Sequence, residues 1–182
     1  HQPSDLRRQR QMCIRDSPVE QFFELLAQKK FCSSTWLRSM NQLDYLEEPD
    51  MFHDIFGHIP LFMNQGYANF AHQMGLLGVK HLGNKKVLEE LQRIYWFTIE
   101  FGLVQEQGLK IYGAGILSSF GESNFVYSNE PEILPYNLEQ VISTSFCNSE
   151  IQTKYFELPD FDVLFDIIER YTVTLNERQG VM

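Results

Sequence analysis

Cysteine is scarce in this sequence and never falls in C-x-x-C spacing: Cys13, Cys32 and Cys147 are odd in number and far apart. That argues against a disulfide framework and against a thiolate metal site, and it fits a reducing cytoplasm. Basic charge is short as well. Lys and Arg number 15 against 24 Asp and Glu, a formal net charge of -9 with no basic stripe, which makes a poor binder of nucleic acid or of an anionic membrane. No uncharged apolar run approaches the length that spans a bilayer. The polar first fifteen residues lack the apolar stretch of a signal peptide. Internal repeats, low-complexity tracts and domain-splitting linkers are not seen. What is present is enough hydrophobic content, 43% of 182 residues, for one globular domain with a core. Aromatics are abundant, with 15 Phe and 8 Tyr. A ring-packed core accounts for them, and a pocket for a flat ligand would draw on the same residues.

Residues 1–17 differ from the rest. They hold four of the eight arginines and show no apolar period, so they read as a disordered or foreign leader, with residues 18–182 as the folded domain. Pro18 to Lys30 is expected to be a helix with an apolar stripe at Val19, Phe22, Phe23, Leu25 and Leu26. Ser33 to Arg38 reads as extended or turn. A helix should start after Asp50, its cap, and loosen near Gly57, because Pro60 disfavours helical geometry at Ile59. Helices are expected over Asn69–Leu77 and Lys86–Val104. Gly108–Gly115 reads as a strand or hairpin with a glycine-rich turn, and Pro131 and Pro135 mark a loop. A short helix at Leu138–Ile142, a strand at Lys154–Leu158 and a closing helix at Phe161–Tyr171 complete the pattern.

The chemistry concentrates in two segments. In His53-Asp54-Ile55-Phe56-Gly57-His58, histidines five apart lie roughly 140° apart on an ideal α-helix. They converge on a metal only if the second sits where the helix ends, and Gly57 and Pro60 supply that ending. The spacing counts against the zinc-protease pattern, which wants histidines four apart with Glu directly after the first. Alone, such a pair is most often surface or capping. Glu100 changes the balance. It lies in Ile94-Tyr95-Trp96-Phe97-Thr98-Ile99-Glu100-Phe101-Gly102-Leu103-Val104, apolar almost all round and therefore buried. A carboxylate there costs several kcal/mol unless a cation or hydrogen bonds offset it. Arg93 and Lys110 are the nearest cations in sequence, and a metal ion would offset the cost directly. Two imidazoles and one carboxylate form the facial triad of non-haem iron(II) oxygenases, with open positions for dioxygen and substrate. Zinc on the same ligands would make a hydrolase.

These residues carry a resemblance. Pro49 to Leu61 is similar to the iron-binding signature of the pterin-dependent aromatic amino acid hydroxylases. Tyr95 to Leu103 resembles the segment bearing the third ligand, and Tyr112-Gly113-Ala114-Gly115-Ile116-Leu117-Ser118-Ser119-Phe120-Gly121-Glu122 resembles a third block. The three blocks stand in the family's order, and the likeness covers about residues 18 to 170, closest to the bacterial members that act on phenylalanine.

The resemblance implies a mainly α, multihelical single catalytic domain with a few short β-strands. It implies iron(II) on His53, His58 and Glu100, and a tetrahydrobiopterin or other reduced pterin stacked on Phe22 with Asp54 and Tyr95 beside it. Arg38 would pair with the substrate carboxylate, with Ser118 nearby, and Pro49, Trp96, Phe101 and Gly115 would wall the ring pocket. The implied reaction hydroxylates L-phenylalanine to L-tyrosine with dioxygen as co-substrate. Tryptophan or tyrosine hydroxylation by the same machinery, the zinc hydrolase, and an inactive binding protein keeping the fold stay open. The family's helices before Pro18, a pterin-contacting loop and the tetramerising tail of animal members are not matched, so a partial catalytic domain, cytoplasmic and monomeric, is expected.

Overall fold

The computed structural model describes residues 19–44, 46–178 and 180; the expected leader, residues 1–17, lies outside the described residues. The architecture is mainly helical with one small sheet, as expected. Helix α1 (Val19–Ala27) buries Phe23 and Leu26 against α3 (Gln65–Lys80). Two glycines of α3 let the helices touch: a Cβ at Gly75 would strike the Ala27 amide, and one at Gly78 the Phe23 ring. Asn64 caps α3 by accepting from Tyr67 N, and Asn84 caps α4 (Lys85–Tyr95) by accepting from Val87 N. The long closing helix α8 (Val163–Arg178) lies on α3. Phe23, Met74, Leu91, Ile94, Ile167 and Tyr171 belong to the main core that these helices enclose.

Residues 51–62 form one helix, and it does not end at Gly57. It is π-helical over His53–His58 and returns to α as α2 (Ile59–Phe62). Ile59 stays helical, with φ -58 and ψ -42, and its N–H reaches back five residues to the Asp54 carbonyl. The wider turn is a way to carry Pro60, which has no N–H to give and whose ring crowds the carbonyl four residues back. Gly57 serves a different purpose from the expected one. A Cβ there would come within 2.7 Å of Ala114 Cβ and 2.9 Å of Ala114 O, so the glycine permits contact with α5 (Ala114–Leu117).

The helix expected to reach Val104 stops sooner. It turns π over Trp96–Glu100, where Phe101 N–H bonds the Trp96 carbonyl five residues back, and the chain then becomes β1 (Leu103–Gln105). Gly102 explains the break: its carbonyl accepts from both Tyr112 N and Gly113 N, and a Cβ would strike Thr98 O and the Tyr112 ring. β1 pairs antiparallel with β2 (Leu109–Ile111) through a turn in which Gln107 (φ 54) and Gly108 (φ 111) are left-handed. The sheet order is β2-β1-β4-β3. β4 (Lys154–Leu158) runs parallel to β1 and to β3 (Glu132–Pro135). The loop expected between Pro131 and Pro135 is therefore largely strand, with Pro135 at its end, where a missing N–H is tolerated. α6 (Phe120–Val126) and α7 (Leu138–Ser143) complete the fold. A second core of Phe101, Leu103, Ile116, Val126 and Tyr155 lies beside Trp96.

Candidate metal centre and cofactor cleft

Both ligand-bearing segments are π-helical, and this resolves the spacing of the histidines. When backbone bonds close five residues back, positions five apart stack one turn above each other, as positions four apart do in an α-helix. His53 and His58 therefore share a face without the helix ending. Their Nε2 atoms are 2.9 Å apart. Glu100 Oε2 lies 3.4 Å from His53 Nε2, and Oε1 lies 3.3 Å from His58 Nε2. Donors about 2.1 Å from one ion would be about 3.0 Å apart at right angles and about 3.4 Å apart in a tetrahedron. The observed separations fall in that range, so the three side chains, all buried, fit a single cation.

The electrostatics agree. Burial alone would raise the Glu100 carboxyl, but the neighbouring charges of His58 and His53 and hydrogen bonds from His58 and Tyr95 hold it at about 2. Burial lowers the His53 imidazole against the opposing pull of Glu100. Both shifts, Glu100 downward and His53 downward, favour the deprotonated forms that a metal needs. The sequence-near cations take no part: Arg93 donates to the Ile142 carbonyl at 2.5 Å, and Lys110 pairs with Glu106 at 4.0 Å.

The surroundings orient the ligands. With Nε2 turned to the shared point, His53 Nδ1–H donates to Ser118 Oγ at 2.8 Å. The His58 ring is held by Phe31 at 4.6 Å and Phe62 at 6.3 Å. Asp50 is the expected cap, accepting from His53 N at 3.0 Å, and it also grips Arg38, with Nε at 3.0 Å and Nη2 at 2.7 Å. Burial would raise the Asp50 carboxyl, but these bonds and the Arg38 charge bring it below its usual value. Arg38 Nη1 donates to the Ser118 carbonyl. Among the described residues, two of the five guanidinium N–H groups take no partner.

Phe22, Pro49, Asp54 and Tyr95 line one cavity with His53, His58 and Glu100. Phe22 meets Tyr95 edge-on at 4.9 Å, and the close α1–α3 packing presents it there. Asp54 Oδ2 accepts from Ser33 Oγ at 3.0 Å and Ser34 N at 2.5 Å, fixing the strand of chain that closes the cleft. Trp96, Phe101 and Gly115 lie apart from that cavity, in an aromatic cluster beside it. Trp96 and Phe101 are 4.5 Å apart, and a Cβ on Gly115 would come within 3.0 Å of the Phe101 ring.

Sequence reasoning missed several contributors. Phe31, Cys32, Ser33 and Ser34 sit in a stretch with no periodic signal. Asp50 was visible only as a cap. Gly113, whose Cβ would strike Glu100 O and Gly102 N, is legible in the sequence as part of a turn and of the third block but not as the residue that packs that block against the Glu100 backbone.

Fold and site together define a helical scaffold that gathers two histidines and one carboxylate where a single metal ion would fit. Residues 15–182 match the biopterin-dependent aromatic amino acid hydroxylases, and the chain belongs to that family. The phenylalanine-4-hydroxylase of Pseudomonas aeruginosa is 44% identical over 159 residues, covering 87% of this chain and 60% of that one. The mouse (Mus musculus) enzyme is 34% identical over 151 residues, 82% of this chain and 33% of that one. A crystal structure of Chromobacterium violaceum phenylalanine hydroxylase with bound iron(III) superposes with TM-score 0.80 at 40% identity, covering 90% and 60% of the two chains. Another, holding iron(III) and oxidised 7,8-dihydrobiopterin, gives TM-score 0.77 at 40% identity, over 88% and 59%. The chain spans about 60% of the length of the first of these relatives. Among the described residues no helix is long and apolar enough to cross a membrane.

Proposed function

We propose that this chain carries the metal and substrate machinery of an iron(II)- and tetrahydropterin-dependent monooxygenase that converts L-phenylalanine to L-tyrosine with dioxygen. The observation behind the reading is the convergence of His53, His58 and Glu100 in a cavity shared with Phe22 and Tyr95, in a chain of this family. Bound iron would supply dioxygen chemistry through the positions that the three protein ligands leave open. The protein's own contribution is placement. Ser118 holds the His53 tautomer, and Tyr95 gives its hydroxyl hydrogen to Glu100. Phe22 offers a half-buried ring on which a flat pterin can stack, with Asp54 on the same wall.

Arg38 is the proposed anchor for the substrate carboxylate. Asp50 holds its guanidinium flat, and the two uncommitted N–H groups are the ones a carboxylate would take. Pro49, Trp96, Phe101 and Gly115 are the proposed walls around the substrate ring, which the aromatic cluster keeps dry. A zinc hydrolase on the same ligands is disfavoured by the family match and by Asp54. That residue is the other carboxylate of the cavity, and its Oδ2 is committed to Ser33 and Ser34. A cytoplasmic, monomeric protein acting on a small molecule fits the acidic, cysteine-poor composition.

The test is incubation with iron(II), tetrahydropterin, air and phenylalanine, followed by product analysis. Tyrosine formation that depends on all four supports the reading. Iron-loaded protein that makes no hydroxylated amino acid from phenylalanine, tryptophan or tyrosine overturns it.

A further inference from the structure

Trp96 has one polar atom, and the fold gives it one partner: its indole Nε1–H donates to Gln152 Oε1 at 2.8 Å. Its ring stacks on Phe146 at 4.3 Å with planes 13° apart and leans on Phe101 at 4.5 Å. Phe146 and Gln152 both belong to residues 144–153, a connection with neither helix nor strand. Such a segment does not fix a side chain by itself, yet Gln152 is buried. What fixes it is Glu122, on α6, only 1% exposed. Glu122 Oε1 accepts from Gln152 N at 2.8 Å, and Oε2 accepts from Tyr155 OH at 2.5 Å. A carboxyl buried without a cation is costly, and an apolar residue would fill the space more cheaply. What it secures is the position of one amide on an irregular segment, and through that amide the plane of one indole.

We propose that Glu122 and Gln152 are positioning residues that set the plane of Trp96, and thereby determine which aromatic side chain the ring pocket accepts. The proposal rests on the reading of Trp96 as a wall of that pocket. Among the described residues neither hydrogen-bonds a metal ligand, so their effect is on substrate fit and not on iron.

The experiment replaces Gln152 in the full iron-loaded chain. Gln152→Met keeps the length but loses the acceptor, while Gln152→Glu keeps an acceptor oxygen. Binding of phenylalanine and tryptophan is measured by calorimetry. Trp96 emission is recorded in a Trp36→Phe background, where it is the remaining tryptophan. Gln152→Met is expected to bind iron normally, shift Trp96 emission, weaken phenylalanine binding by up to about tenfold, the ceiling that one hydrogen bond sets, and narrow the preference for phenylalanine over tryptophan. Gln152→Glu is expected to restore both the emission and the preference. Shifted emission with unchanged amino acid affinities in Gln152→Met, or no restoration by a well-folded Gln152→Glu, overturns the proposal and leaves the hydroxylase reading standing. Failure of the unaltered, iron-loaded chain to bind any aromatic amino acid overturns both.

Discussion

Glu100 and Glu122 are buried to nearly the same degree, 6% and 1% exposed, and burial pushes both carboxyls upward. Their outcomes differ. Glu100 ends at about 2 because two imidazoles and two hydrogen bonds outweigh burial. Glu122 stays above its usual value because the Tyr155 hydroxyl and the Gln152 amide, its lowering partners, carry no charge. A third buried glutamate, Glu90, takes the ordinary solution of an ion pair, with Arg178 Nη1 at 2.8 Å and the Tyr171 hydroxyl at 2.6 Å. Burial of a carboxylate therefore marks a metal site only when its neighbours are themselves ligand groups and no protein cation is at hand. Glu100 meets that condition, while Glu122 fixes the Gln152 segment and Glu90 forms an ion pair.

The largest effect should come from removing the charge at Glu100, with Glu122 as the contrast. Glu100→Gln keeps the shape and loses the anion. Metal affinity, measured by competition with a chelator, should fall more than the ~10–100-fold typical of losing an outer-shell partner. Ser118→Ala, which strips only the His53 Nδ1 partner, should fall within that range. Glu122→Gln should leave metal affinity unchanged. A Glu122→Gln chain that loses its metal would erase the distinction between the two carboxyls.

Next is the packing that lets the two ligand helices meet. Gly57→Ala places a methyl where Ala114 Cβ would be 2.7 Å away. Overpacking of this kind costs about 1–3 kcal/mol, to be read from urea unfolding of the metal-free chain. Because Gly57 lies between the histidines, metal affinity should fall as well. A variant as stable as the parent would show that α5 can move away freely.

Much of this was legible in the sequence for a physical reason: long apolar or charged-apolar patterns report directly on helices and burial. The α-helix at Val19, the buried helix ahead of Glu100, the strand after Gly108 and the donors themselves were all readable. The π-turns were not. One lies around Gly57 and Pro60 and the other just ahead of Gly102, and sequence periodicity assumes one residue count per turn. The same holds for Gly102, Gly113 and Gln152, whose importance lies in contacts with distant chain. Arg38 was readable as a cation but not as the partner of Asp50, because that pairing is made by a segment without regular structure.

The smallest predicted effect sharpens the comparison most, since it depends only on the sign of a shift. The folded Glu122 carboxyl lies above the ordinary glutamate value of 4.5. Between that value and its raised folded value, the folded chain holds a proton that the unfolded chain has released. Stability from this group is thus fully present below about pH 4.5 and is lost as pH rises through the folded value. Glu100 has the opposite sign, its contribution being present above 4.5 and lost as pH falls toward about 2. Wild type and Glu122→Gln share Glu100, so its contribution cancels in their difference. The amide's mispaired hydrogens add an offset that does not vary with pH. Urea midpoints of the two metal-free chains, measured from about pH 4.5 to about pH 7, should therefore show wild type losing ground to Glu122→Gln as pH rises. Tyr155→Phe removes one of the two bonds that hold the carboxyl down, and its loss should extend to higher pH than in wild type. A wild-type advantage that grows with pH would mean that Glu122 is ionised and favoured in the fold, and the contrast with Glu100 would then be one of degree.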